Sequence, residues 1–300
     1  MNAYALIMAG GEGTRFYPLS TPEKPKQFLN LYGHASLIQH TFGRVQPIFG
    51  DSQIWVATNE RFIPLVQEHL PKICLRQLIG EPIKKNTAPC IALAAYLISS
   101  VNPEAVMAVF PADHFVADEE QFRKTILKAI EGASDQKKLI TFGIRPSWPS
   151  AEYGYIRCGA SFLEDSFRVV DRFVEKPNSK LAQDYIKEGN YLWNSGIFVW
   201  RADAILHEIE NYLPRTFNLL QSLSVKNGAL SQEDLHRFFN QVESVSIDYG
   251  VLERSKNVLV LPVDFRWSDL GSFEALKRLA DQKEIELSPE ALSHIQRGVR

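Results

Sequence analysis

The chain has 300 residues, of which 45% are hydrophobic and 23% are charged, as expected of a globular protein with a sizeable core. Its formal net charge of −2 argues against nucleic-acid binding through overall charge. Three widely spaced cysteines without a Cys-x-x-Cys or Cys/His cluster predict neither a disulfide framework nor a zinc site. No apolar run reaches the roughly 18 residues of a membrane helix and no signal peptide is predicted. We therefore expect a cytoplasmic protein with no nucleic-acid or membrane partner.

The first predicted element is a buried strand at residues 5–9, which runs directly into a glycine-rich turn. The glycines of this turn are Gly10, Gly11 and Gly13. They let the backbone turn tightly and approach a ligand, and consecutive N–H groups in such a loop can surround an anion. Cationic side chains follow at Arg15, Lys24 and Lys26. The stretch therefore predicts a phosphate-binding loop that carries its own positive charge.

Two better-known glycine loops do not match this turn. A Walker A loop requires Gly-Lys-Ser/Thr after four intervening residues, and that spacing is absent. The dinucleotide-binding fingerprint requires a third glycine at position 16, which is Phe16. The structural alternative is a plain turn with surface cations. Arg15 together with the basic segment 24–28 argues against that alternative.

The motif Gly-Gly-x-Gly-Thr-Arg-x-x-Pro-Leu-Ser at 10–20, followed by Lys-Pro-Lys-Gln-Phe at 24–28, resembles the sugar-1-phosphate nucleotidyltransferases, and among them most closely the guanylyltransferases. The resemblance implies transfer of a guanylyl group from GTP to mannose 1-phosphate, with release of pyrophosphate. It also implies that the triphosphate is held by Gly10, Gly11, Gly13 and Thr14. Arg15 and Lys26 would then be the catalytic cations, acting on the α-phosphate and the departing pyrophosphate.

Further along the chain, strand and helix patterns alternate. A helix is predicted at 36–45, a strand at 54–57, a helix from residue 60 and a strand at 75–79. Alternation of this kind is typical of βαβ units and a mainly parallel sheet.

The segment 80–89 links a strand to a helix that runs to about residue 100. Thr87 is a natural N-cap for that helix, with Pro89 in its first turn, and a capped core helix would explain both residues. The run is also similar to the guanylyltransferase segment that lines the nucleotide pocket, which implies nucleotide contacts for Glu81, Asn86 and Thr87. Guanine presents two adjacent donors, and a carboxylate such as Glu81 or backbone carbonyls can accept both. A surface glutamate is the alternative for Glu81.

Two aspartates follow predicted buried strands. Asp113 comes after the strand at 105–110, and Asp269 follows the strand at 258–263. Ligands of open α/β sheets bind at the carboxyl ends of strands, although a turn or capping residue would explain either aspartate alone. The resemblance implies that Asp113 and Asp269 bind Mg²⁺. We assign no chemical role to His114.

The second half of the chain carries motifs that resemble the family's sugar-phosphate site. They are Tyr-Gly-Tyr-Ile at 153–156, Glu-Lys-Pro at 175–177 and Trp-Asn-Ser-Gly at 193–196. The resemblance implies sugar-phosphate contacts for Tyr153, Gly154, Glu175, Lys176 and Asn194. Family members often have Thr-Gly where this chain has Ala-Glu at 151–152, which leaves the exact sugar open. Asp248 is expected to support the site, and a direct sugar contact remains open for it.

We therefore predict a Rossmann-like α/β fold with three layers, α/β/α, around a mostly parallel mixed sheet. The predicted catalytic domain covers residues 1–280, with a sugar-binding region at about 145–270 and a tail at 281–300. Two alternatives remain: a different hexose 1-phosphate or nucleotide, and a silent homologue that binds a sugar nucleotide without reaction. The second is disfavoured because Arg15, Lys26, Asp113, Lys176 and Asp269 are all present. A homodimer remains open.

Overall fold

The computed structural model of the chain describes residues 2–11, 13–163, 166–174, 176–226 and 228–297, with the side chain of Gln136 left out. Across this part of the chain, no helix combines the length and the apolar character needed to cross a membrane.

Helices and strands alternate through most of the chain. The strands are β1 Ala3–Met8, β2 Ile54–Asn59, β3 Leu78–Glu81, β4 Val106–Pro111, β5 Phe115–Val116, β6 Leu139–Ile144, β7 Tyr155–Phe162, β8 Phe167–Val174, β9 Tyr191–Arg201, β10 Val258–Val263 and β11 Trp267–Ser268. The helices are α1 Leu37–Phe49, α2 Ile63–His69, α3 Thr87–Val101, α4 Glu119–Gln136, α5 Ser179–Glu188, α6 Ala202–Tyr212, α7 Pro214–Gln221, α8 Gln232–Gln241, α9 Phe273–Asp281 and α10 Pro289–Gln296.

Nine of the strands form one mixed sheet in the order β3-β2-β1-β4-β9-β6-β10-β8-β7, and β5 pairs with β11 separately. Strand β10 runs parallel to β6, whereas β9 runs antiparallel to both β4 and β6. The predicted α/β fold around a mixed sheet is therefore confirmed.

The strand predicted at 75–79 is wrong in its first half, because Leu75–Gln77 forms a 3₁₀ turn. The Gln77 side chain closes this turn by accepting a hydrogen bond from the Cys74 N–H at 3.0 Å.

The chain divides into two compact units, made of the described parts of 1–6, 81–109 and 124–264 (the first unit) and of 7–80, 110–123 and 265–297 (the second unit). In the first unit every residue of β6 is buried. Such a continuous apolar run is expected for a strand covered on both faces. The predicted boundaries of a catalytic domain, a sugar-binding region and a tail stay predictions.

In the second unit an apolar cluster lies next to the glycine-rich turn. Its buried members are Phe16, Leu29, Leu31, Tyr32, Leu37, Phe115, Leu270, Leu276, Leu279 and Ala291. Phe16 is fully buried and its ring centroid lies 4.8 Å from that of Phe273. The residue after Arg15 therefore anchors the glycine-rich turn to the core.

Two glycine-to-alanine substitutions should have opposite effects on stability. A Cβ atom at Gly143, in β6, would lie 2.7 Å from Cγ2 of Val260 and 2.8 Å from Cβ of Leu192. Gly143→Ala should lower the free energy of unfolding by about 1–3 kcal/mol. At Gly43, inside α1, an added Cβ atom would have no described residue within 4 Å beyond its own helix, so Gly43→Ala should raise the free energy of unfolding by roughly 0.5–1 kcal/mol. Urea denaturation measures both, and equal effects would contradict the packing described for β6.

Candidate active site

The glycine-rich turn is shaped by Gly13 and by what packs against it. Gly13 has a φ of +61°, in the left-handed region that favours glycine. A Cβ atom at this position would lie 2.7 Å from the backbone nitrogen of Lys26, so a larger residue would displace that lysine. The carbonyl of Gly13 accepts a hydrogen bond from Ser20 Oγ at 2.7 Å. Of the predicted triphosphate ligands, Gly11 and Thr14 are exposed and Gly10 is half-buried.

The start of this turn is held by two buried side chains that the sequence analysis missed. The carbonyl of Ala9 accepts hydrogen bonds from Gln27 Nε2 at 2.6 Å and from Thr58 Oγ1 at 2.9 Å. Gln27 belongs to the recognised segment 24–28, which is a signal that could have pointed to it. Thr58 stands in a strand and carried no such signal.

Lys26 lies between the two aspartates that were predicted to bind metal. Its Nζ forms an ion pair with Asp113 Oδ2 at 2.9 Å and donates a hydrogen bond to the backbone carbonyl of Asp269 at 2.7 Å. The Lys26 side chain is only 7% exposed, while that of Asp113 is 32% exposed. Asp113 and Asp269 are more than 150 positions apart in the sequence, and the same ammonium group contacts both.

The pairing of β5 with β11 explains why both aspartates reach Lys26. These strands are antiparallel, with Ser268 opposite Phe115 and Trp267 opposite Val116. Asp113 comes just before β5 and Asp269 just after β11, so the pairing brings both to the same end of this small sheet. Periodicity could not predict the pairing, because each strand has two residues.

The electrostatic surroundings of Asp113 favour its charged form. Burial is the strongest single influence and acts to raise its pKa. The positive charge of Lys26 and its hydrogen bond act against burial, and the pKa of Asp113 lies below its usual range.

His114 follows Asp113 in the chain, and its imidazole is hydrogen-bonded to Trp267. Burial lowers the pKa of His114 to about 4, although the charges of Asp113 and Asp269 act in the opposite direction. Trp267 Nε1 donates a hydrogen bond to His114 Nδ1 at 3.2 Å. The ring is therefore neutral at pH 7 with Nδ1 as an acceptor, which is the arrangement of a packed, hydrogen-bonded neighbour.

Arg15 reaches the same region from the glycine-rich turn. A Cβ atom at Gly271 would lie 3.1 Å from Arg15 Nη1 and 2.9 Å from Asp269 Oδ2. The absence of a side chain at Gly271 leaves room for both groups. The Gly271 N–H donates a hydrogen bond to Asp269 Oδ1 at 3.0 Å, which orients that carboxylate.

These donors suit a divalent cation that shares its coordination with a substrate. No group of three or more His, Cys, Asp or Glu side chains within the described ranges is placed to hold a metal ion by itself. Mg²⁺ is typically held by one or two carboxylates, with phosphate oxygens and water completing its shell. Asp113 and Asp269 can supply the carboxylates on that pattern.

The predicted nucleotide-pocket residues lie in the first unit. Glu81 ends β3 and is 7% exposed. Burial raises the pKa of Glu81 to about 7, while the charge of Lys84 acts in the opposite direction. The Glu81 carboxyl is therefore partly protonated near neutral pH. Perturbed pKa values of this kind are frequent at functional sites.

The N-cap of α3 is Asn86 and the expected Thr87 cap is wrong. Asn86 Oδ1 accepts a hydrogen bond from the Thr87 N–H at 2.9 Å, and its φ is +65°. The Thr87 hydroxyl instead accepts a hydrogen bond from the Ile247 N–H at 2.9 Å. With a φ of +65° and a ψ of −166°, the backbone of Asn86 is outside the helical region, so the cap falls one residue earlier than the sequence indicates.

The predicted sugar-phosphate residues that the structure describes also lie in the first unit, and some of them contact one another. Asn194 N–H donates to the carbonyl of Gly154 at 2.8 Å. Asn194 Nδ2 donates to Asp248 Oδ1 at 2.8 Å, and Asn194 Oδ1 accepts from Thr141 Oγ1 at 3.1 Å. The carboxylate of Asp248 thus orients the Asn194 side chain.

Tyr153 is buried in an aromatic cluster, with its ring centroid 4.9 Å from that of Trp193. Lys176 is exposed and has a φ of +41°. Asn86, Lys176 and Leu270 are all non-glycine residues with positive φ at or beside predicted site positions. Strained backbone of this kind is frequent at functional sites. Glu175 lies outside the described residues.

Comparisons with known proteins identify the family of the chain. The family model described as Nucleotidyl transferase matches residues 4–285. A mannose-1-phosphate guanylyltransferase of Sinorhizobium fredii (strain NBRC 101917 / NGR234) is 37% identical, over 92% of this chain and 54% of that protein. The mannose-1-phosphate guanylyltransferase of Escherichia coli (strain K12) is 38% identical, over 91% of this chain and 59% of that protein. The chain therefore spans less than two thirds of the length of these relatives.

A crystal structure described as mannose-1-phosphate geranyltransferase from Thermus thermophilus has 32% sequence identity and a TM-score of 0.83, covering 94% of this chain and 80% of that chain. A family match over most of the sequence, curated relatives above 30% identity and a closely similar fold lead to the same assignment. The chain belongs to the nucleotidyl transferase family.

Proposed function

We propose that the protein transfers a guanylyl group from GTP to mannose 1-phosphate, giving GDP-mannose and pyrophosphate. The observation that carries the reaction class is Lys26, which joins Asp113 to the Asp269 backbone beside the turn that bears Arg15. The choice of GTP and mannose 1-phosphate is supported by the names of the curated relatives and by the motifs that the sequence shares with guanylyltransferases.

In this reaction a phosphate oxygen of mannose 1-phosphate attacks the α-phosphorus of GTP, and the bond to the β-phosphate oxygen breaks. The second pKa of a phosphate monoester is about 6, so the attacking oxygen is already mostly anionic at pH 7. No side chain has to remove a proton from it. The task of the protein is to hold two anionic substrates in line and to neutralise their charge.

The glycine-rich turn, Arg15 and Lys26 would each interact with the phosphates in a different way. Gly10, Gly11, Gly13 and Thr14 bind the triphosphate through backbone N–H groups, which such a loop can point at an anion. The planar guanidinium of Arg15 can contact two phosphate oxygens at once. Lys26 keeps Asp113 in place and supplies a buried positive charge close to the phosphates.

The other half of the proposal concerns the base and the sugar. Glu81, Asn86 and Thr87 bind the nucleotide. Tyr153, Gly154, Glu175 and Asn194 bind the sugar, with Lys176 on its phosphate. Mg²⁺, held by Asp113 and Asp269, would neutralise phosphate charge.

A cytoplasmic location belongs to the same proposal, since Cys74, Cys90 and Cys158 are all free thiols, as is usual in a reducing compartment. A homodimer would be detected by light scattering.

The substrates are tested by measuring pyrophosphate release from each of the four common nucleoside triphosphates with a panel of hexose 1-phosphates. GTP with mannose 1-phosphate should give the highest kcat/KM. Preference for another hexose would keep the reaction class and replace the sugar, as the Ala-Glu sequence at 151–152 allows. Absence of pyrophosphate release from every pair would exclude a nucleotidyltransferase activity for this chain.

Removing one carboxylate charge at a time should abolish most of the turnover. Asp113→Asn and Asp269→Asn keep an oxygen in place but cannot carry the charge that a metal requires. We expect kcat to fall on the order of a hundredfold or more in each. Asp264→Asn, which changes an exposed carboxylate of the first unit, is the control and should retain kcat. Near-normal Mg²⁺-dependent turnover in both active-site variants would remove the metal assignment.

Glu81 should make stability depend on pH. Its pKa in the folded protein is about 7, above its ordinary value of 4.5. The folded state therefore keeps a proton that the unfolded chain has already lost, and stability falls as the pH rises from about 4.5 to about 7. Glu81→Gln should have the higher free energy of unfolding at about pH 8, with the difference shrinking toward about pH 5. A difference that does not change with pH would contradict the raised pKa.

The same variant tests guanine recognition. A Glu81 carboxylate can accept hydrogen bonds from guanine N1–H and from the 2-amino group, which inosine triphosphate lacks. Wild type should therefore prefer GTP to inosine triphosphate, and Glu81→Gln should reduce the preference in kcat/KM on the order of tenfold. An unchanged preference would place guanine recognition elsewhere.

A further inference from the structure

The backbone on either side of Asp113 is held by two side chains of α1. Thr41 Oγ1 donates a hydrogen bond to the carbonyl of Ala112 at 3.1 Å. Arg44 Nη2 donates a hydrogen bond to the carbonyl of His114, also at 3.1 Å. Thr41 is 1% exposed and Arg44 is 3% exposed. One helical turn of α1 therefore contacts the residues immediately before and after the predicted metal ligand.

The burial of Arg44 is not explained by an ion pair. Within the described residues no carboxylate pairs with it, and its Nε is buried without a hydrogen-bond partner. Glu119, which acts on Arg44 through its charge, is paired with Arg123 at 3.2 Å. The guanidinium carbon lies 5.5 Å from the ring centroid of Phe122. Burying a guanidinium in this way is costly, so a specific contact is needed to account for it.

The hydrogen bonds of Arg44 and Thr41 are to backbone carbonyls, from Arg44 to His114 and from Thr41 to Ala112. Peptide units are planar, so a bond to the Ala112 carbonyl fixes the peptide plane before Asp113. A bond to the His114 carbonyl fixes the plane after His114. The Ala112 N–H donates to the carbonyl of Met8 at 3.0 Å. Between these fixed planes Asp113 keeps little freedom, and its carboxylate is directed toward Lys26.

We propose that Thr41 and Arg44 are positioning residues that hold the Ala112–His114 backbone so that the Asp113 carboxylate faces Lys26 and a metal–nucleotide complex. The metal-related part rests on the proposed function, whereas the restraint on the backbone does not. Among the described residues, neither side chain forms a hydrogen bond or ion pair with the Asp113 carboxylate, and neither takes part in the chemistry. Their effect is to fix the orientation of one ligand before substrate arrives.

The test uses a substitution that removes one hydrogen bond and a matched control. Thr41→Val keeps the shape of the side chain and loses the donor, and Thr41→Ser restores a hydroxyl. Thr216, on α7, is also 1% exposed, but its hydroxyl makes no hydrogen bond within the described residues. Thr216→Val therefore makes the same chemical change at an equally buried position outside the site. Arg44→Lys keeps the positive charge and loses the planar fork.

The first measurement is amide hydrogen exchange in the metal-free protein. Thr41→Val should speed exchange on the order of tenfold in peptides covering 109–117, because a buried carbonyl has lost its donor. Thr41→Ser should restore slow exchange, and Thr216→Val should leave it unchanged. A uniform increase over the whole second unit would mean that Thr41 contributes to stability alone and would overturn the proposal. If Thr41→Val fails to fold, Arg44→Lys is measured in the same way.

The second measurement is GTP binding by calorimetry with and without Mn²⁺, in the absence of sugar phosphate. Mn²⁺ should tighten GTP binding to wild type, and Thr41→Val should reduce that tightening about tenfold while metal-free GTP binding stays the same. Equal tightening in both proteins would overturn the positioning role. If wild type releases no pyrophosphate from any substrate pair, the proposed function fails, and the exchange result still decides whether α1 restrains this backbone.

Discussion

The ammonium group of Lys26 is the contact on which the candidate active site depends. It is almost completely buried and joins the Asp113 carboxylate to the Asp269 backbone. Removing one partner from a buried ion pair leaves an uncompensated charge, which is strongly destabilising. The segments around Asp113 and Asp269 are therefore held together by a charge that can also face phosphate. The close packing of Gly13 on Lys26 extends this dependence to the glycine-rich turn.

Buried side chains hold the backbone around this lysine. Gln27 and Thr58 donate to the Ala9 carbonyl, where the glycine-rich turn begins, and Thr41 and Arg44 donate to carbonyls beside Asp113. A buried carbonyl without a donor costs about 1–3 kcal/mol. The same contacts that satisfy the backbone also hold the segments that carry the proposed catalytic groups. Fold stability and preorganisation of the site thus have one structural origin.

The sequence predicted those parts of the fold and site that depend on local pattern. The strand before Gly10, the helix of α1 and the strand before Asp113 follow from apolar periodicity. A site shared by Asp113 and Asp269 could be expected from resemblance but not from periodicity, because β5 and β11 have two residues each. Thr41 occupies a position of the apolar helical face and gave no sign of its hydrogen bond. The cap at Asn86 was missed because its backbone adopts a positive φ, which tertiary contacts select.

The most direct measurement of this account is ³¹P nuclear magnetic resonance of GTP and mannose 1-phosphate mixed with Mg²⁺ and either wild type or Lys26→Met. Wild type should convert the nucleotide signals into those of a nucleoside diphosphate sugar and free pyrophosphate. Lys26→Met, with an uncharged side chain of similar length, should form neither product at a measurable rate. Product formation by Lys26→Met at the wild-type rate would contradict the central role given to Lys26. Formation of orthophosphate alone by wild type would contradict the proposed nucleotidyl transfer.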